Sequence, residues 1–280
     1  MRQQLPAEVA PLAEAVARGL TGVRRLGVAF SGGVDSSVLL ALAARALGPD
    51  RVVAVMGVSP SLASDERDAA HRVAEQVGVP VVEVATHEGE REGYIANGPD
   101  RCFHCKDELF TVISDRVVRE QGLDAVAYGE NADDARRPDR PGALAATEHA
   151  VLRPLADAGM TKEQVRQVAR ALALACADKP AAPCLASRIP HHSPVTPEKL
   201  QQVEAAERAL RALGFSDSRV RHHDQVARVE LPVEELARAV ELRAELVSRV
   251  RAAGFRFVTL DLSGLQSGAF TLDVLQRRGA

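Results

Sequence analysis

The stretch Phe30–Ser37, "FSGGVDSS", decides the fold of the first half of this chain. It lies between "RLGVAF" (25–30), an apolar run of strand length, and "VLLALAARAL" (38–47), an apolar run of helix length. Glycine accepts positive φ and lets the backbone approach a ligand, and the first N–H groups of a helix attract anions. Such a turn also occurs without any ligand, but this string favours a phosphate-binding loop between a strand and a helix.

The composition is that of a soluble globular protein. The 280 residues are 46% hydrophobic and 26% charged, with a net charge of -3. No apolar run approaches the roughly 20 residues that cross a bilayer. Residues 5–20 have the apolar spacing of an amphipathic helix rather than of a signal peptide. We therefore expect a cytoplasmic protein, in which four cysteines serve metal, redox or catalytic chemistry rather than disulfides.

Strand and helix patterns alternate through the first half, which predicts an α/β fold with a parallel sheet and helices on both faces. The predicted strands are "RLGVAF" (25–30), "RVVAVMGV" (51–58), "VPVVEVA" (79–85), "DAVAYG" (124–129) and a short "AVLRPL" (150–155). The predicted helices between and after them are 37–47, 64–77, 106–122 and 161–174.

A proline-rich stretch interrupts this pattern at 177–197, and we interpret it as a functional loop or linker. The predicted domains are therefore 1–176, a catalytic loop at 177–197, and a smaller α+β domain at 198–280. In the last, the order is helix (197–214), two strands (218–224 and 225–231), helix (232–254) and strand (255–262).

The string "SGGVDSS" resembles the signature of the PP-loop ATP pyrophosphatases, which split ATP into AMP and pyrophosphate and adenylate an oxygen of the substrate. The resemblance implies a Rossmann-like fold of the adenine nucleotide alpha hydrolase type. It also implies that the loop binds the pyrophosphate part of ATP. The loop residues are Ser31, Gly32, Gly33, Asp35, Ser36 and Ser37.

Magnesium is expected with ATP, because a leaving pyrophosphate is strongly charged. Asp35 lies within the loop, where a carboxylate beside phosphates calls for a cation. Asp133 and Asp134 follow the strand "DAVAYG", at the carboxyl edge where α/β proteins bind ligands. These two are candidate magnesium or ATP ligands, and a role as solvated loop acids is equally compatible with the sequence.

The cysteines leave several chemistries open. Cys102 and Cys105 form a CxxC, and Cys184 lies in the proline-rich loop, whereas Cys176 falls in a helical pattern typical of a buried residue. The CxxC is compatible with half a zinc site, completed by His104 together with His191 and His192. It is also compatible with a dithiol redox pair. A third reading is an iron–sulfur cluster with Cys184 as third ligand.

A longer resemblance covers nearly the whole chain. The strings "SGGVDSS", "NGPDRCFHCKDELF", "YGENADD", "DKPAAPCLASRIP" and "FRFVTLDLSGLQSG" occur in the order of the LarE family, sulfur transferases of nickel-pincer nucleotide synthesis. The resemblance implies adenylation of a carboxylate of pyridinium-3,5-biscarboxylic acid mononucleotide. Sulfur then replaces the activated oxygen, giving a thiocarboxylate.

The same resemblance assigns roles to the cysteines. Cys184 matches the sulfur-donor position, which some members sacrifice to leave dehydroalanine. Members that also carry a CxxC are thought to hold a [4Fe-4S] cluster, so Cys102, Cys105 and Cys184 are candidate cluster ligands here.

Four basic residues are candidate substrate ligands: Lys179, Arg188, Arg219 and Arg221. Lys179 and Arg188 flank Cys184, where they would favour its thiolate or hold the substrate phosphate. Arg219, Arg221 and His223 alternate along a predicted strand and so share one face, which Arg228 on the next strand would join. A solvated loop charge and an exposed sheet face are the competing interpretations.

Three other functions stay open on the sequence: a tRNA thiolase, an amide-forming enzyme like NAD or GMP synthetase, and a nucleotide- or metal-binding regulator without catalysis. The negative net charge, the aromatic content of 3% and the lack of a recognisable RNA-binding module argue against tRNA. The family resemblance implies a homo-oligomer that works with other enzymes of nickel-pincer biosynthesis, without nucleic acid or membrane partners.

Overall fold

The computed structural model describes residues 5–137, 141–180 and 182–266. Residue 181 of the predicted loop 177–197 therefore lies outside the described part. So do residues 1–4 and 138–140 of the predicted first domain and residues 267–280 of the predicted small domain. The last two residues of "FRFVTLDLSGLQSG" also lie outside it. Within the described ranges, no helix combines the length and the apolar character needed to span a membrane.

The chain divides into two compact units. One consists of the described parts of Met1–Glu88 and Cys102–Ala182, and the other of Gly89–Arg101 with the described part of Pro183–Ala280. The predicted domain boundaries stay a prediction, and this division differs from them in two respects. The segment Gly89–Arg101, which lies between the two segments of the first unit in sequence, groups with the second unit, and the predicted loop 177–197 is divided after residue 182.

The first unit contains a four-stranded, all-parallel sheet in the order β3-β2-β1-β4. The predicted parallel α/β fold is therefore confirmed. The strands are β1 Leu26–Ala29, β2 Val52–Val58, β3 Val81–Ala85 and β4 Ala125–Tyr128. The predicted fifth strand is reduced to a single bridge between Ala127 and Leu152.

The chain up to residue 171 forms ten α-helices in its described part. They are α1 Ala10–Gly19, α2 Val34–Leu47, α3 Ser64–Val77, α4 Glu92–Ile95 (of the second unit), α5 Arg101–Val112, α6 Val118–Gln121, α7 Ala132–Ala135, α8 Pro141–Glu148, α9 Pro154–Asp157 and α10 Lys162–Ala171. A π-helical turn, Ile113–Val117, joins α5 to α6. The long helix therefore begins before its predicted start, so that the CxxC lies on it.

Both faces of the parallel sheet are covered, because β1 is buried along its whole length. One apolar layer joins Val28 of β1 to Leu39 of α2 and Val168 of α10. The opposite layer joins Val55 of β2 to Phe110 of α5. A β1 fixed on both faces holds the turn that follows it, which is the predicted phosphate-binding loop, in a defined position.

The second unit has a three-stranded sheet in which β6 pairs antiparallel with β5 and parallel with β7. Its elements are α11 Pro197–Ala212, β5 Arg219–His223, β6 Val226–Glu230, α12 Leu236–Glu241, α13 Arg243–Ala252 and β7 Phe257–Leu260. The predicted helix 232–254 is thus two α-helices separated at Leu242. Their apolar sides pack on Val220 and Val229 of the sheet.

Candidate active site

The glycine-rich loop connects the buried strand β1 to helix α2, as the sequence predicts. Gly32 has φ +71°, and a Cβ there would lie 2.6 Å from the Cβ of Ala70 on α3. Both the backbone angle and the contact exclude a side chain at this position. The loop therefore runs directly against α3. Gly33, the loop residue that follows Gly32, is the N-cap of α2.

Hydroxyl groups hold the loop in shape. The Ser36 Oγ donates to the carbonyl of Gly33 over 3.0 Å and accepts from the backbone N–H of Ser31 over 3.3 Å. The Ser31 and Ser36 hydroxyls lie 3.2 Å apart. Ser37 is fully buried, and its Oγ has no hydrogen-bond partner among the described residues. The cradle is thus formed by the protein itself and offers an unsatisfied donor beside the helix N-terminus.

Gly129 brings the end of β4 against the first turn of α2. A Cβ at Gly129 would lie 2.5 Å from the backbone nitrogen of Ser36. This close approach places the segment after β4, which carries Asp133 and Asp134, beside the loop. Gly129 was not among the predicted site residues, although the string "YGENADD" contains it.

A connected polar network links the loop to two later segments. The Asn131 side chain donates to Asp35 Oδ1 over 3.0 Å and to Asp134 Oδ2 over 2.9 Å. The Lys162 ammonium, at the start of α10, forms an ion pair with Asp35 Oδ2. Asn131 and Lys162 are functional candidates that sequence reasoning missed, because only the fold places residues 96 and 127 positions apart in contact.

The two predicted acidic residues after β4 have different surroundings. Asp134 lies next to Asp35 through Asn131, whose Oδ1 also accepts from the Asp134 N–H as the N-cap of α7. Asp133 accepts from the backbone N–H of Lys162 over 2.8 Å, and so fixes the start of α10. The structure therefore brings Asp35 and Asp134 together, with Asp133 at the edge of the group.

A second acidic group is Glu130, which is 1% exposed. Its Oε2 lies 3.5 Å from Arg153 Nη1, while its Oε1 has no hydrogen-bond partner in the described part of the chain. A buried carboxylate with an unsatisfied oxygen at the carboxyl edge of the sheet is poised for a donor or a cation. Glu130 was not among the predicted site residues.

These residues fit ATP with magnesium. The glycine cradle and the helix N-terminus offer N–H donors for phosphate, and the carboxylates of Asp35 and Asp134 are hard oxygen donors suited to Mg²⁺. The Lys162 ammonium adds positive charge at the same place. The fold and this site define an ATP pyrophosphatase of the PP-loop class, an ATP-dependent enzyme.

Comparisons with known proteins narrow the class. The sequence pattern of the asparagine synthase family matches residues 10–244. A protein of Lactiplantibacillus plantarum named pyridinium-3,5-bisthiocarboxylic acid mononucleotide synthase is 35% identical over 250 residues, covering 89% of this chain and 90% of that protein. The chain belongs to the LarE family of this superfamily.

Two relatives without a described activity also match. An uncharacterized protein of Synechocystis sp. is 42% identical over 243 residues, covering 86% of this chain and 90% of that protein. An uncharacterized protein of Methanocaldococcus jannaschii is 28% identical over 168 residues, covering 60% of this chain and 65% of that protein.

The CxxC lies on the first unit. Cys102 and Cys105 are three positions apart on α5, and so project from the same side of the helix. Cys102 is exposed and Cys105 is half-buried. In the described ranges, no group of three or more His, Cys, Asp or Glu side chains is arranged to hold a metal ion. Cys176 is buried in the first core, as predicted, but it lies in a turn after the end of α10 rather than in a helix.

Cys184 lies on the second unit, exposed at the N-cap of a 3₁₀ helix, Leu185–Arg188. Its carbonyl accepts from the N–H of Ser187 over 2.9 Å and from Arg188 Nη1 over 3.2 Å. Arg188 is 4% exposed and pairs with both carboxylate oxygens of Glu207, at 2.8 and 3.1 Å. Arg188 thus anchors the backbone of the Cys184 loop from the interior.

The other predicted substrate ligands are engaged in ion pairs. Lys179, on the first unit, pairs with Glu66 at 2.7 Å. Arg221 is 3% exposed, binds both oxygens of the buried Glu230, and donates to the carbonyl of Ser187 over 3.1 Å. It therefore supports the Cys184 loop in the same way as Arg188.

The predicted basic face on β5 and β6 contains acidic partners. Arg228 lies on the neighbouring strand β6, as predicted, where it pairs with Arg221 in the register and contacts Glu230 at 3.2 Å and Asp261 at 3.4 Å. Arg219 pairs with Asp217 at 2.5 Å. Part of the positive charge of this face is therefore balanced within the unit.

Proposed function

We propose that this protein is an ATP-dependent sulfur transferase acting on pyridinium-3,5-biscarboxylic acid mononucleotide. The observation that carries the proposal is the 35% identity, over most of both chains, to a protein named for a product with two thiocarboxylates. Forming such a product requires activation of a carboxylate and a source of sulfur. This chain has a PP-loop for the first step and an exposed cysteine, Cys184, for the second.

Activation uses the residues around the loop. A carboxylate is a poor electrophile, and bound ATP with Mg²⁺ supplies the adenylyl group that converts its oxygen into a good leaving group. The N–H groups around Ser36 and the Lys162 ammonium would neutralise charge on the departing pyrophosphate. Asp35, held by Asn131 and Lys162, would orient the cation. Each of these groups is fixed before ligand arrives, so little reorganisation is needed.

In the sulfur-transfer step, Cys184 acts as the nucleophile. Its thiolate attacks the adenylated carbonyl carbon, and AMP leaves with the electron pair of the broken bond. A base then removes the Cα proton, and the Cβ–S bond breaks with its electrons on sulfur. This leaves a thiocarboxylate on the substrate and dehydroalanine at position 184. The dithio product needs a second sulfur, so the other carboxylate would be converted by a second chain whose Cys184 is intact.

A [4Fe-4S] cluster bound by Cys102, Cys105 and Cys184 is the other sulfur source implied by the family resemblance. Three thiolates are a suitable donor set for such a cluster, and two of them share one side of α5. Anaerobic purification with iron, sulfide and absorption measurements on wild type and Cys102→Ala tests it. About four irons per chain, lost in the variant, would support the cluster. A colourless, iron-free protein after reconstitution would exclude it.

The decisive test separates activation from sulfur transfer. With ATP, Mg²⁺ and the pyridinium substrate, Cys184→Ala should retain pyrophosphate release and form no thiocarboxylate. Cys176→Ala, at the buried cysteine, serves as the matched control and should retain both. Loss of both activities in Cys184→Ala would contradict this division of roles. A single-turnover mass loss of one H₂S from the chain would identify Cys184 as a sacrificial donor.

The same assay addresses the competing functions. Sulfur incorporated into tRNA rather than into the pyridinium substrate would indicate a tRNA thiolase, and an ammonia-dependent amide product would indicate a synthetase. ATP binding without pyrophosphate release on any substrate would indicate a regulator. We expect a homo-oligomer in the cytoplasm that works with other enzymes of nickel-pincer biosynthesis, as members of this family imply.

A further inference from the structure

Asn97 is the most enclosed polar residue of the segment Gly89–Arg101, which belongs to the second unit. It is 0% exposed and has φ +55°. Asparagine tolerates this left-handed conformation better than most side chains. A buried asparagine in that conformation needs partners for each of its polar atoms, and they determine what it does.

The side-chain amide of Asn97 binds the loop that follows Cys184. Its Nδ2 lies 3.3 Å from the carbonyl of Ile189, 2.8 Å from that of Pro190 and 3.0 Å from that of Ser193. Because an amide nitrogen has two hydrogens, one is shared between acceptors. The Asn97 carbonyl accepts in return from the N–H of His192 over 3.1 Å. One side chain therefore hydrogen-bonds to three backbone carbonyls of the loop 189–193.

Arg101 extends this arrangement to the residues next to Cys184. Its Nη1 donates to Asn97 Oδ1 and, over 3.0 Å, to the carbonyl of Ala186. Arg101 is 8% exposed. Ala186 lies in the 3₁₀ helix whose N-cap is Cys184, and Arg101 immediately precedes Cys102 in the chain. The Arg101 guanidinium thus binds the backbone two residues after Cys184, while the residue itself directly precedes the CxxC in the sequence.

We propose that Asn97 and Arg101 are positioning residues for sulfur transfer: together they fix the backbone that presents Cys184. The inference rests on the proposed function for its kinetic consequence, but not for its structural one. Neither residue needs to touch the substrate. Their effect is exerted through the 3₁₀ helix and the loop 189–193, because displacing a nucleophile by about 1 Å costs up to about 100-fold in rate.

The test compares Arg101→Met and Arg101→Lys with a matched control, Arg238→Met. Arg238 also donates to two carbonyls of the second unit, Leu213 at 2.6 Å and Gly214 at 2.9 Å, but on another loop. Arg101→Met should lower kcat for thiocarboxylate formation about 10- to 100-fold while KM and pyrophosphate release stay within about twofold. Arg101→Lys, which keeps a donor and the charge, should recover part of the loss. Arg238→Met should retain the wild-type kcat.

Hydrogen exchange supplies a readout that does not depend on the reaction. The N–H groups of Ser187, Ile189 and His192 are hydrogen-bonded within this region. Their exchange should accelerate severalfold in Arg101→Met and stay at the wild-type rate in Arg238→Met. Unchanged exchange in Arg101→Met would refute the proposal even if wild type forms no thiocarboxylate, an outcome that would separately refute the proposed function. If kcat falls equally in Arg101→Met and Arg238→Met, in proportion to the fall in their melting temperatures, Arg101 only stabilises the fold and the proposal is refuted.

Discussion

Asn131 lies between two carboxylates of the first unit, with its Nδ2 3.0 Å from Asp35 Oδ1 and 2.9 Å from Asp134 Oδ2. Two acidic side chains that share one donor are held at a fixed separation. This is the arrangement expected of groups that orient a cation next to phosphate, because supporting hydrogen bonds tune metal ligands.

Replacing Asn131 with aspartate tests this relationship. Asp is as good an N-cap as Asn, so helix α7 should keep its cap, but a fully buried carboxylate beside Asp35 and Asp134 should lower the melting temperature. The donor to Asp35 is lost and a third negative charge is added. We expect pyrophosphate release to fall about 10- to 100-fold. The measurement is a steady-state pyrophosphate assay at several magnesium concentrations.

Thr196→Ala is the control for that variant, because it removes a side-chain cap from α11 in the other unit. It should lower the free energy of unfolding by about 1 kcal/mol and leave pyrophosphate release unchanged. An Asn131→Asp enzyme with wild-type pyrophosphate release would show that the amide does not support the metal ligands.

Gly32 provides a test of the loop itself. In Gly32→Ala the added methyl group would lie 2.6 Å from the Cβ of Ala70, at a φ of +71° that disfavours alanine. We expect the loop to move and the Kd for ATP, measured by calorimetry, to rise at least about 10-fold. Gly78→Ala is the matched control, because it imposes a similar φ of +77° with no atom within 4 Å. It should be destabilised but bind ATP normally. Equal weakening in both variants would mean that strain, not the loop position, sets the affinity.

Much of the first unit follows from its sequence because its strands and helices are local patterns. Glycines mark where the helices begin or end: Gly33 is the N-cap of α2, and Gly78 closes α3 in a left-handed conformation. The strands are apolar on both faces, which is the signature of a parallel sheet covered by helices. Element type was therefore predictable over most of this unit, and boundaries less so.

Contacts between distant segments were not predictable. Lys162 has no sequence signature, since a lysine at the start of a helix is ordinary, and only the fold pairs it with Asp35. Arg188 and Arg221 were expected to bind the substrate. In the structure Arg188 forms an ion pair with the buried Glu207, and Arg221 forms one with the buried Glu230. The sequence does not reveal these pairs. The role of the two arginines as substrate ligands stays a prediction.

Arg188→Met leaves Glu207 as a buried charge without its guanidinium. We expect the free energy of unfolding to fall by about 3–5 kcal/mol, measured by urea denaturation. Adding Glu207→Gln removes the charge and keeps an oxygen for the N–H of Val220, which now donates over 2.9 Å. The double variant should therefore be more stable than Arg188→Met. A double variant that folds but has a greatly raised KM for the pyridinium substrate would show that Arg188 binds the substrate.

His222 sets a pH dependence of the second unit. It is 3% exposed, packs against Phe255 with ring centroids 5.2 Å apart, and shares a hydrogen bond with Gln202. Burial lowers the pKa of His222 below its ordinary 6.5, and the charge of Lys199 lowers it further. The unfolded chain therefore binds a proton at this residue more readily than the folded chain does. The stability that the neutral ring contributes is fully present above about pH 6.5 and is lost as the pH falls toward the folded pKa.

We accordingly expect the free energy of unfolding of wild type to decrease between about pH 6.5 and pH 5, and His222→Gln to show a shallower dependence. The measurement is urea denaturation at half-unit pH steps for both proteins. His71→Gln is the matched control, because His71 lies at the surface of the first unit against Glu83. It should leave the slope contributed by His222 in place. A slope that persists unchanged in His222→Gln would assign the acid sensitivity to another group, because a residue without a titrating ring has no proton to take up.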